Sequence, residues 1–442
     1  MMAVPVDFIH GLQWRDIPVS AQHAARRSLL DTVGVAISAT VTPTAKIICD
    51  HAASQFGAGD REGASLWRDG RIVSPAGAAL ANGMTIDSID AHDGNKPTKG
   101  HVGCGVLPAL VAMAQATGQL DTEEFLASMV MGYEIGTRAG TALHATVSDY
   151  HTSGAWIALA AAAIGARYLK LNAEQTRHAL GIAEYHGPRS QMMRCIDHPT
   201  MLKDGSGWGA MAGISAAYLA RGGFTGAPAI TMEEDRAEHF WNDLGSRWCM
   251  EEHYIKLYPC CRWAQPPVEA IFALKQEHGF GASDVEATGI DTFHEAARLA
   301  THHPATSDEA QYSLPYAVGV ALAHDGFTAE HLSDSALNNG NMAALRNGIT
   351  IGETDEFNTA FPMKRYARAT LRLKDGRELV SPVMEAIGDP ENPVNDDVLR
   401  QKFVDFTTPV LGEAEANSTL RTVWETESAT TVEPLIAALI QS

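Results

Sequence analysis

Residues 82–108 read NGMTIDSIDAHDGNKPTKGHVGCGVLP, and the rest of the chain is organised around them. Two aspartates (Asp90, Asp93), two histidines (His92, His101) and two lysines (Lys96, Lys99) fall within a dozen positions, with Asp87 just upstream. Gly94, Pro97, Gly100, Gly103 and Gly105 break regular structure, so the segment is expected to run as a loop. Alanine-rich residues 75–86 before it, and the apolar run Val106 to Ala116 after it, read as helices. An ionisable loop gripped between buried helices is where a catalytic site is sought. The ordinary alternative is a solvated turn. The direct passage into an apolar run argues against that, because it anchors the C-terminal end of the loop in the core.

Working outward, helical spacing recurs over residues 19–40, with Ser20 as the candidate N-cap, and over 44–57. Residues 65–73 read as a short hairpin turning at Asp69-Gly70. Glycines 57, 59 and 63 come close to a dinucleotide fingerprint, but the third is one position late and no strand precedes them. Beyond the loop, helices are expected near 106–117, 122–144, 154–170, 173–184 and 206–222, with a capping box at Asn172. Their alanine content, including an unbroken run from Ala160 to Ala163, allows close approach and a compact multi-helix bundle.

The texture changes near residue 245. A helix at about 266–279 is followed by strand patterns at 285–293, 367–373 and 378–383, the last two joined by a turn at Asp375-Gly376. Helical periodicity resumes near Asn395. The reading is a mainly α protein in which residues 1–250 and 395–442 form one helical domain and residues 251–394 a smaller α+β domain.

Composition bounds the function. The chain has 442 residues, 45% hydrophobic and 19% charged, with a net charge of −20. That size suits a large domain plus a smaller one. The acidic balance argues against nucleic acid and anionic membranes, which demand basic patches. It leaves room for a small anionic substrate, because scarce cations gathered in one cleft still make a local positive field. No signal peptide or bilayer-spanning run is evident, and the six cysteines lack C-x-x-C spacing, so reduced thiols and a cytoplasmic location are expected. At Cys260-Cys261, two packed thiols are expected rather than a strained vicinal disulfide.

Several machineries are absent: no P-loop, no H-E-x-x-H, no G-x-S-x-G elbow. His92, His101 and Cys104 lack a fourth metal ligand at a usual spacing, and the cysteines are too scattered for an iron–sulfur cluster. No metal is expected. What remains is three clusters of histidine and cations, at 92–101, 186–203 and 256–262, with His151 at a helix entrance as a fourth element. Such a set suits a substrate bearing two or three carboxylates: Lys and Arg bind carboxylates by charge-assisted hydrogen bonds. They also stabilise an enolate formed beside one, and histidine passes the proton in either direction. Taken singly, each of these residues has an ordinary structural reading, and His151, among largely apolar neighbours, has it at even odds. The combination carries the argument.

The sequence resembles the MmgE/PrpD family over nearly its whole length. The similarity lies in LLDTVGVAISA (29–39), ALANGMTIDSIDAHD (79–93), GHVGCGVLPAL (100–110) and YHTSGAWIALAAAAIGARYLKLNAEQTRHALGIA (150–183). It continues in TMLKDGSGWGAMAGISAAYLARGGFTG (200–226), KLYPCCRW (256–263) and EAQYSLPYAV (309–318). The resemblance implies a large all-helical domain made from both chain ends, a smaller α+β lid, a homodimer, and a cofactor-independent active site between the domains. By motif position it implies Asp90, Asp93, His101 and His151 as catalytic residues. Lys203 and Lys256 would bind substrate, as would Tyr316 in the YSLPY stretch; Arg262 and His92 are expected to bind substrate as members of the cation and histidine clusters. The sequence departs from the family pattern at Asp90-Ala91-His92-Asp93-Gly94: His92 replaces a carboxylate, the usual following threonine is absent, and Val102 replaces a proline. The expected function is a 2-methylcitrate dehydratase-like hydro-lyase acting on a small di- or tricarboxylate. A cis-aconitate decarboxylase-like or iminodisuccinate epimerase-like reaction, and a non-catalytic polycarboxylate-binding protein, are the alternatives. Of the two catalytic histidines, His101 is the expected acid/base, with Asp90 setting an imidazole tautomer and Gly103 and Gly105 letting a ligand approach the backbone.

Overall fold

The computed structural model describes residues 3–59 and 63–441; residues 60–62, inside the glycine pattern at 57–63, lie outside the described residues. The chain is mainly α, with three small sheets among the described residues. Helices Val19–Ala39, Pro43–Gln55, Pro75–Asp87, Gly103–Thr117, Thr122–Thr146, Gly154–Tyr168, Ala173–His186 and Ser206–Arg221 form the first part. Four of these eight begin at a side-chain cap, the one at Asn172 as the sequence predicts. Thr42, Ser74 and Asp121 each accept a hydrogen bond from a backbone N–H three residues on, and Asn172 and Gln175 cap each other reciprocally. Ser20 is an exception. The helix starts at Val19, so Ser20 lies inside it, and the preceding residue, Pro18, has no side-chain acceptor to offer.

All fifteen residues of Gly154–Tyr168 are buried. The helix reaches that depth because its neighbours touch it backbone to backbone. A Cβ on Gly213 would run into the Ala158 carbonyl of this helix, and one on Gly207 into the Leu80 carbonyl of Pro75–Asp87. Only glycine lets Ser206–Arg221 seat against both.

Apolar side chains gather in two large clusters. One takes residues between Ile9 and Ile255 and then again between Val394 and Leu439. The other takes residues between Cys260 and Leu379, together with Met192, Cys195 and Ile196. The C-terminal helix Asp396–Leu411 packs on Val19–Ala39. In the second region four strands form a sheet in the order Ile349–Glu353, Val285–Thr292, Arg368–Leu373, Glu378–Val380. The first pair is parallel, with Ile290 opposite Ile351; the other two pairs are antiparallel. Sequence reading found three of these strands and missed Ile349–Glu353, a five-residue edge strand with Gly352 near its end. All six cysteines are buried and unpaired.

From Gly77 to Ala114 every residue is buried except the half-buried Pro97 and Lys99. The central loop is therefore an interior segment. It is held at three points: Gly94–Asn95 pairs antiparallel with His253–Tyr254, the Asp90 N–H donates to Gln311 Oε1 at 2.7 Å, and Lys402 Nζ donates to the Ala91 carbonyl at 2.7 Å. Lys402 is itself buried and paired with Asp31 at 2.5 Å, so both ends of the chain clamp the loop. A solvated turn would have none of these ties.

Candidate active site

The loop folds back on itself, the Asn95 N–H donating to the Gly100 carbonyl at 2.9 Å. This return brings His101 Nδ1 to the Asp93 carbonyl at 2.5 Å. A carbonyl can only accept, so Nδ1 carries a proton, and in the neutral imidazole Nε2 is left with a free lone pair. That is the tautomer proton transfer at carbon requires. Asp93 sets it through its backbone. Asp90, expected to do so, has Oδ1 3.8 Å from Nε2, beyond hydrogen-bond distance. The Asp93 carboxylate instead accepts from the buried Tyr133 hydroxyl at 2.8 Å.

Asp90 is occupied by Lys256: the two form a fully buried ion pair. Burial works against both charges, but Lys256 beside it holds the Asp90 carboxyl below the usual carboxylate range, and Asp90 raises the Lys256 ammonium. His101 has the opposite fate. Burial, then the positive Lys256 and neighbouring His92, push its pKa well below the ordinary histidine value. At neutral pH the site therefore holds a neutral imidazole beside an ion pair.

His92 stands edge-on to His101, ring centroids 4.5 Å apart, with Nε2 3.4 Å from Asp87 Oδ1 and neither ring nitrogen hydrogen-bonded. Asp87, His92 and Cys104 present ligand atoms within 4.8 Å of one another, a grouping that could hold a metal ion. His101, which sequence reading put beside His92 and Cys104, is not part of it. The spacing along the chain could not show this, because Asp87 closes the set from the end of the preceding helix.

The second sequence cluster contributes one cation to the site. His186, Arg189, Arg194 and His198 are all exposed, while Lys203 turns inward with φ of +47° and bonds Asp308 at 2.9 Å and Gln311 Oε1 at 3.1 Å. Gln311 thereby bridges Lys203 to the Asp90 backbone, and it joins the two apolar clusters at the site. Arg262 pairs with Asp389 at 2.6 Å and lies 4.6 Å from the Tyr254 ring centroid. His151 is half-buried, with its N–H donating to His144 Nε2 at 3.0 Å; no described contact joins its side chain to Asp90, His101, Lys203 or Lys256. Tyr316 lies apart, its hydroxyl donating to the His331 carbonyl at 2.5 Å. The tyrosine beside Lys203 is Tyr312, whose ring centroid is 5.3 Å from Nζ. Gly103 and Gly105 face protein: a Cβ on either would strike the Tyr133 hydroxyl or the Ile157 side chain.

Residues that sequence reading missed complete the set. Ser153 Oγ accepts from the His101 N–H at 2.9 Å and donates to Asp204 at 2.5 Å. Asp204 is pushed up to about 7 by burial and by the Asp87 charge, and through Ser153 it holds the His101 backbone rather than the ring. Its only sequence signal is adjacency to Lys203. Tyr254, buried beside Gly94, has its ring centroid 6.4 Å from that of His101.

A mainly α chain with a buried His–Asp–Lys cluster between two apolar cores is the class defined here, and the comparisons give it a family. The N-terminal domain of MmgE/PrpD proteins matches residues 6–240 and the C-terminal domain residues 258–426. The chain belongs to the MmgE/PrpD family. It is 22% identical to a cis-aconitate decarboxylase-like protein of Aspergillus oryzae over 98% of this chain and 96% of that one. It is also 22% identical to the cis-aconitate decarboxylase of Aspergillus terreus, covering 84% and 82%. With the human cis-aconitate decarboxylase it shares 23% over 89% and 85%.

Proposed function

We propose that this protein is a lyase that decarboxylates a small di- or tricarboxylate by acid/base chemistry at the carbon beside a retained carboxylate. The observation that carries the reading is the His101 geometry: Nδ1 fixed on the Asp93 carbonyl, Nε2 free, and the Asp90–Lys256 pair alongside. Relatives named for decarboxylation put that reaction ahead of the dehydration that sequence alone favours. In the reaction, the bond to the departing carboxylate breaks and carbon dioxide leaves. The electron pair stays on carbon as an enolate-like anion that the lysines stabilise. A proton from His101 Nε2 then closes the carbon. An incoming polyanion opposes the burial that discharges His101, so the imidazolium forms as substrate binds. Dehydration is the second reading, favoured by the same lowered pKa, because a neutral imidazole is ready to remove a carbon-bound proton. Turnover of a panel of tricarboxylates and hydroxy acids, followed by NMR, separates the two. Carbon dioxide release with one fewer carbon in the product supports the first, and water loss with all carbons retained supports the second.

In this reading residues 1–250 and 395–442 form the helical domain, and residues 251–394 the lid that closes the site. Turnover is expected to survive exhaustive chelation, because His101 and Lys256 stand outside the Asp87–His92–Cys104 grouping. Activity lost to chelator and restored by one divalent ion would overturn this. We also propose a homodimer, on family resemblance; light scattering at micromolar concentration should give about twice the chain mass of 47.3 kDa, and a monomer would refute it.

A further inference from the structure

Nearly every cation at the site is already neutralised. Lys256 is paired with Asp90, Lys203 with Asp308, Arg262 with Asp389, and Lys96 with both Asp389 and Glu391. Such pairs brace the site, and a substrate carboxylate would compete with an acid already in place at each one. Among the described residues, Lys99 and Arg365, both bonded to the Lys96 carbonyl in the turn that leads to His101, have no carboxylate within ion-pair distance.

Arg365 is 4% exposed. Its Nε has no hydrogen-bond partner, and its described hydrogen bond is a long one, from Nη2 to the Lys96 carbonyl at 3.4 Å. That same carbonyl accepts from the Lys99 N–H at 3.1 Å, so the guanidinium rests on the turn that carries Lys99. Lys99 holds a left-handed backbone, φ +52°, a strained conformation of the kind that persists at functional sites. Its Nζ lies 4.8 Å from the Tyr150 ring centroid, and it is one of the two half-buried positions in an otherwise buried segment. The path inward is continuous: Arg365 stands 5.7 Å from the Tyr254 ring centroid, and Tyr254 meets His101.

Two like charges side by side, one of them buried with donors unused, are unfavourable without an anion between them. Burial and the Arg365 charge lower the Lys99 ammonium, while Glu295 opposes this from beyond contact distance. Another buried and unpaired cation among the described residues, Arg346, lies against Tyr316 and away from this turn.

We propose that Lys99 and Arg365 form a carboxylate-binding subsite at the outer edge of the His101 cluster. It would take the substrate carboxylate farthest from the bond that breaks, and the inference rests on the polycarboxylate reading above. Arg supplies a two-pronged donor set suited to a carboxylate, and Lys a mobile point charge at the opening.

The probe is tricarballylate, a saturated tricarboxylate with no hydroxyl to lose and no conjugated system to drive decarboxylation. Calorimetric titration of the full chain should show it binding, with Arg365→Met and Lys99→Met each weakening the affinity about tenfold or more. Arg365→Lys should fall between. Because Arg365 is buried, its Met variant is checked by thermal melting, and the half-exposed Lys99→Met carries the test if that variant does not fold. Variants that bind as tightly as wild type overturn the subsite even if the wild type turns polycarboxylates over. Binding that depends on both residues in a protein that turns over no polycarboxylate leaves the subsite standing and overturns the proposed reaction. Failure of the wild type to bind tricarballylate overturns the subsite.

Discussion

Replacing His101 by glutamine is expected to lower kcat on the order of 10²-fold or more, the scale of a lost general acid/base. Glutamine keeps a donor that can reach the Asp93 carbonyl, so the loop closure is retained while the titrating nitrogen is gone. In D₂O the same variant should cease to exchange deuterium into recovered substrate or product. The geometry gives this residue the first claim, since its Nδ1 is fixed at 2.5 Å and the free Nε2 stands beside Asp90 and Lys256. A variant that still exchanges at the wild-type rate would transfer the role to His92, whose ring is 4.5 Å away, or to His151.

Lys256→Met should cost both activity and stability. Asp90 and Lys256 are almost wholly buried, and removing one partner of a buried pair strands the other charge, at about 3–5 kcal/mol. The urea midpoint should fall accordingly. The double variant Lys256→Met, Asp90→Asn removes both charges and should regain much of the stability while remaining inactive. That contrast separates a structural pair from one that also serves the reaction. A single variant as stable as wild type would show that Asp90 takes up a proton at little cost and that the pair contributes little to the fold.

The two outcomes bear on how much of the molecule was legible in its sequence. The long helices between residues 19 and 222 were, because apolar spacing and caps such as Asn172 are local properties, whereas Leu314–Ala323 and Gly340–Asn347 went unread. The importance of residues 82–108 was legible too, as charge and glycine crowded between apolar runs. The roles within it were not. That Asp93 holds His101 through a carbonyl depends on a chain reversal from Asn95 to Gly100, and backbone acceptors leave no mark in residue identity. Which cations are free also escaped, since Lys203 and Lys256 look like Lys99 until Asp308 and Asp90 are found opposite them. Arg365 lies outside every motif and reaches the site only through folding. The strand Ile349–Glu353 failed for another reason: five residues are too few for a period of two to stand out.

The contact of Ser206–Arg221 with its two neighbouring helices has a further consequence for how such a protein changes over generations. Where helices meet through Gly207 and Gly213, spacing is fixed by main chain, and almost any replacement displaces the whole frame. Lys99, half-buried with its ammonium over the Tyr150 ring, has room that those glycines lack. Inheritance is thus divided between positions that tolerate almost no spelling changes and a few, such as Lys99, where another letter can be tried. A change of substrate is expected to begin at such positions, while the spacing that Gly207 and Gly213 set is handed down intact.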